Sequence, residues 1–308
     1  MDLDLPDLSD NTYLITGSTS GIGRDAALRL ARRGATVVLH GRDRERGRET
    51  LAAVREAGGD GAFVRADLAD PGAVRGLARV VSERYDRLDG LVSNAALSLP
   101  ERETAMGTER TLAVNHLAPY LLVHDLAPFL IESAPARVVV TASGVHRRGE
   151  IDPDTLAFED DALGTEDDEH DALAAYARSK LANVLFAYQL AARLAVVAPE
   201  VTATAYHPGF VPSTGLYRST RGPFRLAVVL AARLPGVGTS VSEGGAGLAR
   251  LAASPGVVGV SGAYFAGRER DLPDERVHDA TLRARLWDAS ADLVGVDPDW
   301  PRAVFSGS

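Results

Sequence analysis

The feature that most constrains the fold is an alternation of short apolar runs with amphipathic stretches through the first half of the chain. The apolar runs predict strands at 13–16, 36–40, 63–66, 88–93 and 137–141. The stretches between them predict helices at 23–33, 44–57, 73–85 and 106–132. Strands that are apolar almost throughout are buried on both faces, which indicates a parallel sheet covered by helices on each side. The sequence therefore predicts an α/β fold with a doubly wound parallel sheet of about seven strands.

The second half continues the pattern less regularly. An irregular acidic stretch at 145–171 precedes a strongly helical segment at 172–197 and a strand at 201–206. Further elements are predicted as a loop at 207–216, helices at 224–234, 242–253 and 275–294, and a last strand at 263–266. Because the chain has no repeat and no low-complexity linker, we expect residues 1–308 to form a single domain.

Composition excludes several classes of protein. The net charge of -9 disfavours nucleic acid as a partner, because phosphate binding needs an excess of Lys and Arg. The chain has no cysteine, so no thiolate metal site or disulfide is possible, and the acidic run at 159–169 does not have the spacing of a calcium loop. We therefore predict no metal. The acidic first residues do not form a signal peptide and no apolar run reaches the length of a membrane span, so a cytoplasmic location without a membrane span is expected.

A glycine-rich turn joins the first predicted strand to the first predicted helix, with the sequence TGSTSGIG at 16–23. Glycine allows a tight turn and a close approach of the backbone to a pyrophosphate, and the helix N-terminus offers free N–H groups to the phosphates. The position between strand and helix favours a nucleotide site over a plain helix cap. The predicted cofactor contacts here are Gly17, Ser20, Gly21, Ile22 and Gly23.

The end of the second strand bears on the choice of cofactor. A carboxylate there binds the ribose 2′-hydroxyl of NAD, whereas an arginine accommodates the 2′-phosphate of NADP. The chain has Arg42 at this point, and Arg24 after the last glycine could add a second forked cation. These residues favour NADP(H) over NAD(H). The alternative is that both are solvated surface arginines, and the neighbouring Asp43 adds a negative charge.

Two further strand ends are candidates for the rest of the dinucleotide. Asp67 and Leu68 follow the third strand, where a carboxylate could hold the adenine amino group. Asn94 and Ala95 follow the fourth strand, where small residues let the backbone pass close to a ribose. We expect all four to contact the cofactor.

Tyr176 and Lys180 are four residues apart, and so lie on one face of the predicted helix at 172–197. A tyrosine hydroxyl has a pKa of about 10, which a neighbouring cation lowers by stabilising the phenolate. Such a tyrosine can give a proton to a carbonyl oxygen or take one from an alcohol. Lys180 is the one lysine among 33 basic residues, and arginine cannot replace its compact ammonium group. We predict that both residues are catalytic and contact the cofactor.

Two polar residues are candidates to assist them. Ser143 follows the strand at 137–141, where a parallel sheet presents its functional groups, and its hydroxyl could orient the substrate oxygen toward Tyr176. Asn115 lies inside a predicted helix, where Asn is mildly unfavourable. It could hold a water beside Lys180 or be structural.

Taken in order, these segments resemble the short-chain dehydrogenase/reductase family. The matching residues are those of the glycine turn at 16–23, Ser93, Asn94, Ala95, Ala96, Asn115, Ser143, Tyr176, Lys180, Pro208 and Gly209. The family's usual Asn-Asn-Ala-Gly is Ser-Asn-Ala-Ala here, at 93–96. The resemblance implies a single-domain Rossmann fold, a catalytic tetrad of Asn115, Ser143, Tyr176 and Lys180, and cofactor contacts by Pro208, Gly209, Val211 and Ser213.

A narrower resemblance covers nearly the whole chain. Segments at 39–43, 176–183, 207–209, 261–265 and 285–287 are similar to the retinol dehydrogenase, WW-domain oxidoreductase and protochlorophyllide reductase group. That group generally uses NADP(H). The resemblance also implies a substrate lid at about 210–240. The apolar helix at 224–234 would cover a lipophilic pocket, form a subunit interface in a homodimer or homotetramer, or make weak membrane contact.

The leading hypothesis is therefore an NADP(H)-dependent oxidoreductase that acts on a carbonyl or alcohol carbon of a lipophilic small molecule. A second is a sensor or scaffold that binds NADP(H) without turnover, which would have no need of Tyr176 and Lys180. A third is an enzyme that epimerises or dehydrates a nucleotide-sugar, for which the chain after Tyr206 leaves little room.

Overall fold

A central sheet of eight strands organises the computed structural model, which describes residues 4–157, 170–212 and 238–302. The strands of the sheet lie in the order β3-β2-β1-β4-β7-β8-β9-β10. Their bounds are β1 Thr12–Ile15, β2 Thr36–Gly41, β3 Asp60–Arg65, β4 Gly90–Ser93, β7 Ala136–Thr141, β8 Val201–His207, β9 Ala263–Ala266 and β10 Glu269–Asp271. Seven strands are parallel and β10 pairs antiparallel to β9, so the sheet has one strand more than expected.

The order of the strands reverses beside β1. The chain runs outward from β1 through β2 to β3 and then returns to β4 on the other side of β1, where Ile15 pairs with Leu39 of β2 and with Val92 of β4. A reversal of this kind opens a crevice outside the carboxyl ends of the strands, where α/β sheets bind their ligands. The glycine turn begins directly after Ile15, at the edge of that crevice.

Helices cover both faces of the sheet. Their bounds are α1 Gly21–Ala31, α2 Arg44–Glu56, α3 Pro71–Arg84, α4 Arg110–Leu112, α5 Ala118–Glu132, α6 Ala172–Val197, α7 Val241–Ala253 and α8 Ala280–Val294. One buried cluster joins α1 and α7 to the sheet, and a second joins α3, α5, α6 and α8 to its other face. The described residues thus form the doubly wound α/β architecture predicted from the apolar pattern.

Two predicted helices differ from the structure. Residues 106–109 do not begin a helix, because Met106 and Gly107, both with positive φ, form the turn of a small hairpin between β5 Thr104–Ala105 and β6 Thr108–Glu109. The side chain of Glu109 then caps α4. At the other end of the chain, 275–294 divides into a 3-10 turn and α8, which begins after the cap Asp279.

Helix α6 carries Tyr176 and Lys180. Asp171 caps it by accepting hydrogen bonds from the N–H groups of Leu173 and Ala174. Within the described part of the chain, it is the one helix long and apolar enough to cross a membrane, but 61% of its most apolar window is buried inside the protein. Core helices pass the same length test, so this is weak evidence for a span, and the prediction of no span stays a prediction.

The predicted apolar helix at 224–234, most of the predicted lid and the acidic run at 159–169 lie outside the described residues.

Candidate active site

A cleft of about 470 Å³ lies at the carboxyl ends of the parallel strands. It is bounded by the turns after β1, β2, β3, β4 and β7, by α6 and by the segment after β8. The predicted site residues that line it are Gly17, Ser20, Gly21, Ile22, Arg42, Asp67, Leu68, Asn94, Ala95, Ser143, Tyr176, Lys180, Pro208, Gly209 and Val211. The structure therefore brings the nucleotide candidates and the catalytic candidates into one cavity.

The glycine turn forms one wall of the cleft because of its backbone conformation. Gly17 has φ 66° and Gly21 has φ 57°, in the left-handed region that side chains disfavour. A Cβ on Gly17 would lie 2.8 Å from the Cα of Ala95. Ser20 precedes α1 without capping it through its side chain. This cradle fits a pyrophosphate, which needs close backbone and free N–H groups at a helix N-terminus.

Gly23 has a packing role in the structure, and its predicted cofactor contact stays a prediction. It is buried outside the cleft lining, and a Cβ there would lie 2.5 Å from Nδ2 of Asn94 and 2.7 Å from the carbonyl oxygen of Gly17. The absence of that Cβ lets Nδ2 of Asn94 donate to the carbonyl oxygen of Thr16 at 2.9 Å. Asn94 thus ties the turn after β4 to the turn after β1.

His40 connects the turn after β1 to the turn after β3, a role that the sequence analysis did not predict. Its Nδ1 accepts a hydrogen bond from the N–H of Gly17 at 3.2 Å, and its Nε2 donates to the carbonyl oxygen of Ala66 at 3.2 Å. Burial lowers the pKa of His40 to about 4, so the ring is neutral near pH 7 and keeps one donor and one acceptor.

Arg42 and Arg46 line the cleft at the end of β2, whereas Arg24 is absent from the described lining. Arg46 on α2 is thus a further candidate cation, and the second charge predicted at Arg24 stays a prediction. Asp43 is engaged as the cap of α2, where Oδ1 accepts from the N–H of Glu45 at 2.9 Å and of Arg46 at 3.2 Å. Its Oδ2 lies 3.5 Å from Nε of Arg46.

Lys180 is almost fully buried at the catalytic end of the cleft, with 1% of its surface exposed. Its Nζ donates to the carbonyl oxygen of Thr141 at 2.9 Å, and Nδ2 of Asn183 donates to the same oxygen at 3.1 Å. Burial lowers the pKa of Lys180 to about 7, because desolvation disfavours the ammonium form. The cation therefore forms as the pH falls through neutrality.

Tyr176 lies one turn before Lys180 on the same face of α6. The Nζ atom of Lys180 is 5.5 Å from the centroid of the Tyr176 ring, and both side chains line the cleft. A charge at this distance favours the phenolate in a site of low dielectric. The structure therefore places the ammonium near the Tyr176 ring, as the spacing predicts, and the catalytic role of the two residues stays a prediction.

Ser143 begins the turn after β7. Its backbone is extended, and within the described part of the chain its Oγ accepts only a long hydrogen bond from the N–H of Val145, at 3.5 Å. Since Ser143 lines the same cleft as Tyr176, its hydroxyl is available to a substrate oxygen near the phenol. Its predicted role in orienting the substrate oxygen stays a prediction.

Asn115 is completely buried in a π-helical turn, Ala113–Leu117, between α4 and α5. Its Oδ1 accepts from the N–H of Leu97 at 2.8 Å, and its Nδ2 donates to the carbonyl oxygen of Leu97 at 2.9 Å and to Oγ of Ser179 at 3.0 Å. The side chain thus binds the turn after β4 and the helix position next to Lys180. These contacts give Asn115 a positioning role, and its predicted hold on a water beside Lys180 stays a prediction.

One buried polar atom of the cleft supports a fit to nicotinamide. Oγ1 of Thr141 is buried with no hydrogen-bond partner among the described residues, although Thr141 lines the cleft. Buried hydroxyls are rarely left unpaired, and a carboxamide can supply a partner. Ser213, also predicted to contact the cofactor, lies outside the described residues.

Comparison with known proteins assigns the family. The short chain dehydrogenase family profile matches residues 11–152. A bovine protein, dehydrogenase/reductase SDR family member 13, is 39% identical over 297 residues, covering 96% of this chain and 76% of the relative. A Streptomyces sp. (strain C5) protein that bears the name daunorubicin C-13 ketoreductase DnrU is 39% identical over 94% of both chains. Mouse retinol dehydrogenase 14 is 37% identical, covering 92% of this chain and 86% of the relative.

Solved structures share the fold. A protein from Mycobacterium paratuberculosis superposes with a TM-score of 0.71 at 26% identity, covering 96% of this chain and 98% of that one. The Pseudomonas aeruginosa RhlG/NADP complex has a TM-score of 0.66 at 26% identity, covering 86% and 97%. The chain therefore belongs to the short-chain dehydrogenase family, and within it to the group of the retinol dehydrogenases. It is an oxidoreductase of a family that binds a nicotinamide cofactor and acts on small molecules.

Proposed function

We propose that this protein uses NADP(H) to interconvert a carbonyl and an alcohol on a lipophilic small molecule. The observation that carries the proposal is the placement of Tyr176 and Lys180. They face the same cleft as the glycine turn, with the ammonium 5.5 Å from the phenol ring. The bound nicotinamide supplies or accepts the hydride.

Protons move through Tyr176. In reduction its hydroxyl donates a proton to the carbonyl oxygen as negative charge develops there, and in oxidation its phenolate takes the proton from the alcohol. The ammonium of Lys180 stabilises the phenolate in both directions. The hydroxyl of Ser143 holds the reacting oxygen beside Tyr176. Asn115 holds the turn after β4 against helix α6 through its hydrogen bonds to Leu97 and Ser179.

The preference for NADP(H) is supported by charge at the end of β2. Arg42 and Arg46 both line the cleft, and two guanidiniums can bind a phosphate dianion through forked, charge-assisted hydrogen bonds. Asp43, the carboxylate that lies between them in the sequence, is engaged as the cap of α2. A free carboxylate at this strand end would have favoured a ribose 2′-hydroxyl instead.

A lipophilic substrate is supported by the apolar residues at the catalytic end. Leu97, Val114 and Val211 line the cleft together with Tyr176 and Ser143. Apolar walls with few polar groups are typical of sites that bind apolar ligands and fix their orientation. The names of two relatives, a retinol dehydrogenase and a daunorubicin ketoreductase, refer to molecules with large hydrocarbon or ring frameworks.

A turnover screen tests the proposal. Purified protein with NADPH or NADH is offered a panel of lipophilic ketones and aldehydes, with short polar carbonyls as controls, and the decrease of reduced nicotinamide is followed. We expect oxidation of NADPH with the lipophilic compounds, and we expect Tyr176→Phe to reduce kcat about 10³-fold, because the phenylalanine keeps the ring but has no proton to donate.

Tyr188→Phe, on the same helix outside the described cleft lining, is the matched control and should retain activity. Full activity of Tyr176→Phe would refute the mechanism. Tight NADPH binding without turnover on any compound would favour a sensor or scaffold.

A further inference from the structure

We propose that His146 is a positioning residue that holds Ser143 in place by linking its backbone to the C-terminal segment around Asp274. The proposal rests on the proposed function, because it assigns His146 a role through the serine that orients the substrate.

The contacts of His146 define a bridge. Its side chain is completely buried, and Nδ1 donates to the carbonyl oxygen of Ser143 at 2.7 Å. On the other side of the ring, Nε2 accepts from the N–H of Asp274 at 3.1 Å. The N–H of His146 also donates to the carbonyl oxygen of Ser143, at 3.1 Å. The ring therefore joins two segments that are far apart in the chain.

A second set of contacts fixes the other end of the turn at 144–148. Arg276 donates from Nη1 to the carbonyl oxygen of Gly149 at 2.7 Å and from Nη2 to that of Arg147 at 3.3 Å. Its Nε lies 2.7 Å from Oδ1 of Asp274, which keeps the guanidinium in place. The turn that begins at Ser143 is thus held at both ends by residues 274–276.

Ser143 needs external support of this kind. Among the residues that the structure describes, its hydroxyl makes only the long contact with Val145, so the direction of its Oγ depends on the backbone of Ser143 itself. Catalytic groups that are displaced by about 1 Å can lose about 10²-fold in rate. The carbonyl of Ser143 accepts two hydrogen bonds from His146, and these fix the peptide plane beside the reacting oxygen.

Histidine suits this position because its neutral ring has one N–H donor and one nitrogen acceptor on opposite sides. Ser143 requires the donor, and Asp274 requires the acceptor. Asn retains an amide N–H at the place of Nδ1, and Gln reaches the place of Nε2 with its carbonyl oxygen. Each substitution therefore keeps one half of the bridge.

The test compares His146→Asn and His146→Gln, and repeats the second substitution in a protein that lacks the hydroxyl of Ser143. We expect His146→Gln to lower kcat about 10-fold with an unchanged KM for NADPH, because it loses the direct side-chain bond to Ser143. His146→Asn should lower kcat by about 3-fold, because Asn keeps that bond and loses only the anchor at Asp274. In a Ser143→Ala background, His146→Gln should lower kcat by less than about 2-fold, because its effect acts through the missing hydroxyl.

The matched control is His278→Gln, an exposed histidine on the same C-terminal segment, which should leave kcat unchanged. Amide hydrogen exchange gives a readout that does not depend on activity, and in His146→Gln it should accelerate at 143–149 and 272–276. An equal loss of kcat in both serine backgrounds would indicate a merely structural histidine and overturn the inference. A wild-type kcat in His146→Gln would overturn it as well. Absence of turnover in the wild type would instead overturn the proposed function.

Discussion

The two ends of the cleft are built in different ways. At the nucleotide end the backbone forms the site, with positive φ at Gly17 and Gly21, and the charged side chains Arg42 and Arg46 are exposed at its rim. At the catalytic end the functional groups are side chains, and Lys180 is buried and bonded to a backbone carbonyl.

The difference predicts how each end responds to substitution. Exposed charges contribute moderate, separable amounts of binding free energy, since water screens them. A turn with positive φ cannot accept a side chain without strain. Buried groups in a reaction centre act as a unit, so that removal of one disables the others. The effects of substitutions on kcat or on cofactor binding should therefore decrease from the catalytic end to the rim formed by Arg42 and Arg46.

Apart from Tyr176→Phe, the largest effect is expected at Lys180. We expect Lys180→Met to lower kcat about 10²- to 10³-fold, since the phenolate of Tyr176 loses its stabilising charge. The same variant should be more stable than the wild type. The pKa of Lys180 falls from its usual 10.5 to about 7 on folding, so below pH 7 the folded protein bears the full cost of a buried cation, on the order of several kcal/mol.

That cost decreases as the pH rises from about 7 to 10.5, where only the unfolded chain still binds the proton. Thermal unfolding should accordingly show the greatest advantage of Lys180→Met below pH 7 and a smaller one at higher pH. Arg178→Met, at an exposed position of the same helix, is the control. A variant less stable than the wild type at pH 6 would contradict the assignment of a desolvated cation.

A smaller effect is expected from Gly17→Ala. The added Cβ meets the backbone of Ala95 and requires a φ of 66° that alanine disfavours. We expect the Kd values of NADPH and NADH to rise together, about 10- to 100-fold, because both dinucleotides share the pyrophosphate. Calorimetric titration measures both constants.

Gly76→Ala is the control for this change, because a Cβ on Gly76 of α3 meets nothing within 4 Å. It should leave both Kd values unchanged and increase stability slightly. An effect of Gly17→Ala on one dinucleotide alone would show that the turn does not hold the shared pyrophosphate.

The smallest effect is expected at the rim. Arg42→Ala should raise the Kd of NADPH about 10-fold, as expected for loss of a charge-assisted hydrogen bond, and that of NADH by less than about 2-fold. Arg46→Ala should do the same to a lesser degree. Arg48→Ala, exposed on α2 away from the described lining, should change neither. Equal changes for the two dinucleotides would remove the 2′-phosphate assignment.

Much of the fold and of the candidate site could be predicted from the sequence because these features depend on local patterns. Apolar strands, the glycine turn and the spacing of Tyr176 and Lys180 each carry their own signal within a few residues. Helix α6 and strand β9 begin and end where the apolar pattern predicts. The hairpin at 104–109 was missed because the apolar periodicity beyond it hid a turn at Met106 and Gly107.

The site residues that sequence reasoning missed depend on tertiary contacts. Arg46 is one of several arginines at the start of α2. Its position four residues after Arg42 was the only sequence signal for a place in the cleft. The bonds of His40 to Gly17 and Ala66 join three strand ends. The pairing of Asn115 with Leu97 depends on a π-helical turn that no local pattern indicates.

The cap that Asp43 provides for α2 has a consequence for protein engineering. A designer who wants to change the choice between NADPH and NADH would naturally try to free that carboxylate, yet doing so would remove the hydrogen bonds that cap the first turn of α2. The side chain of Arg42 does not cap a helix. Substitutions at position 42 can therefore change the preference for one dinucleotide without loss of the cap of α2. Of these two neighbouring positions, Arg42 can thus be substituted to change coenzyme binding, whereas Asp43 is needed for the stability of α2.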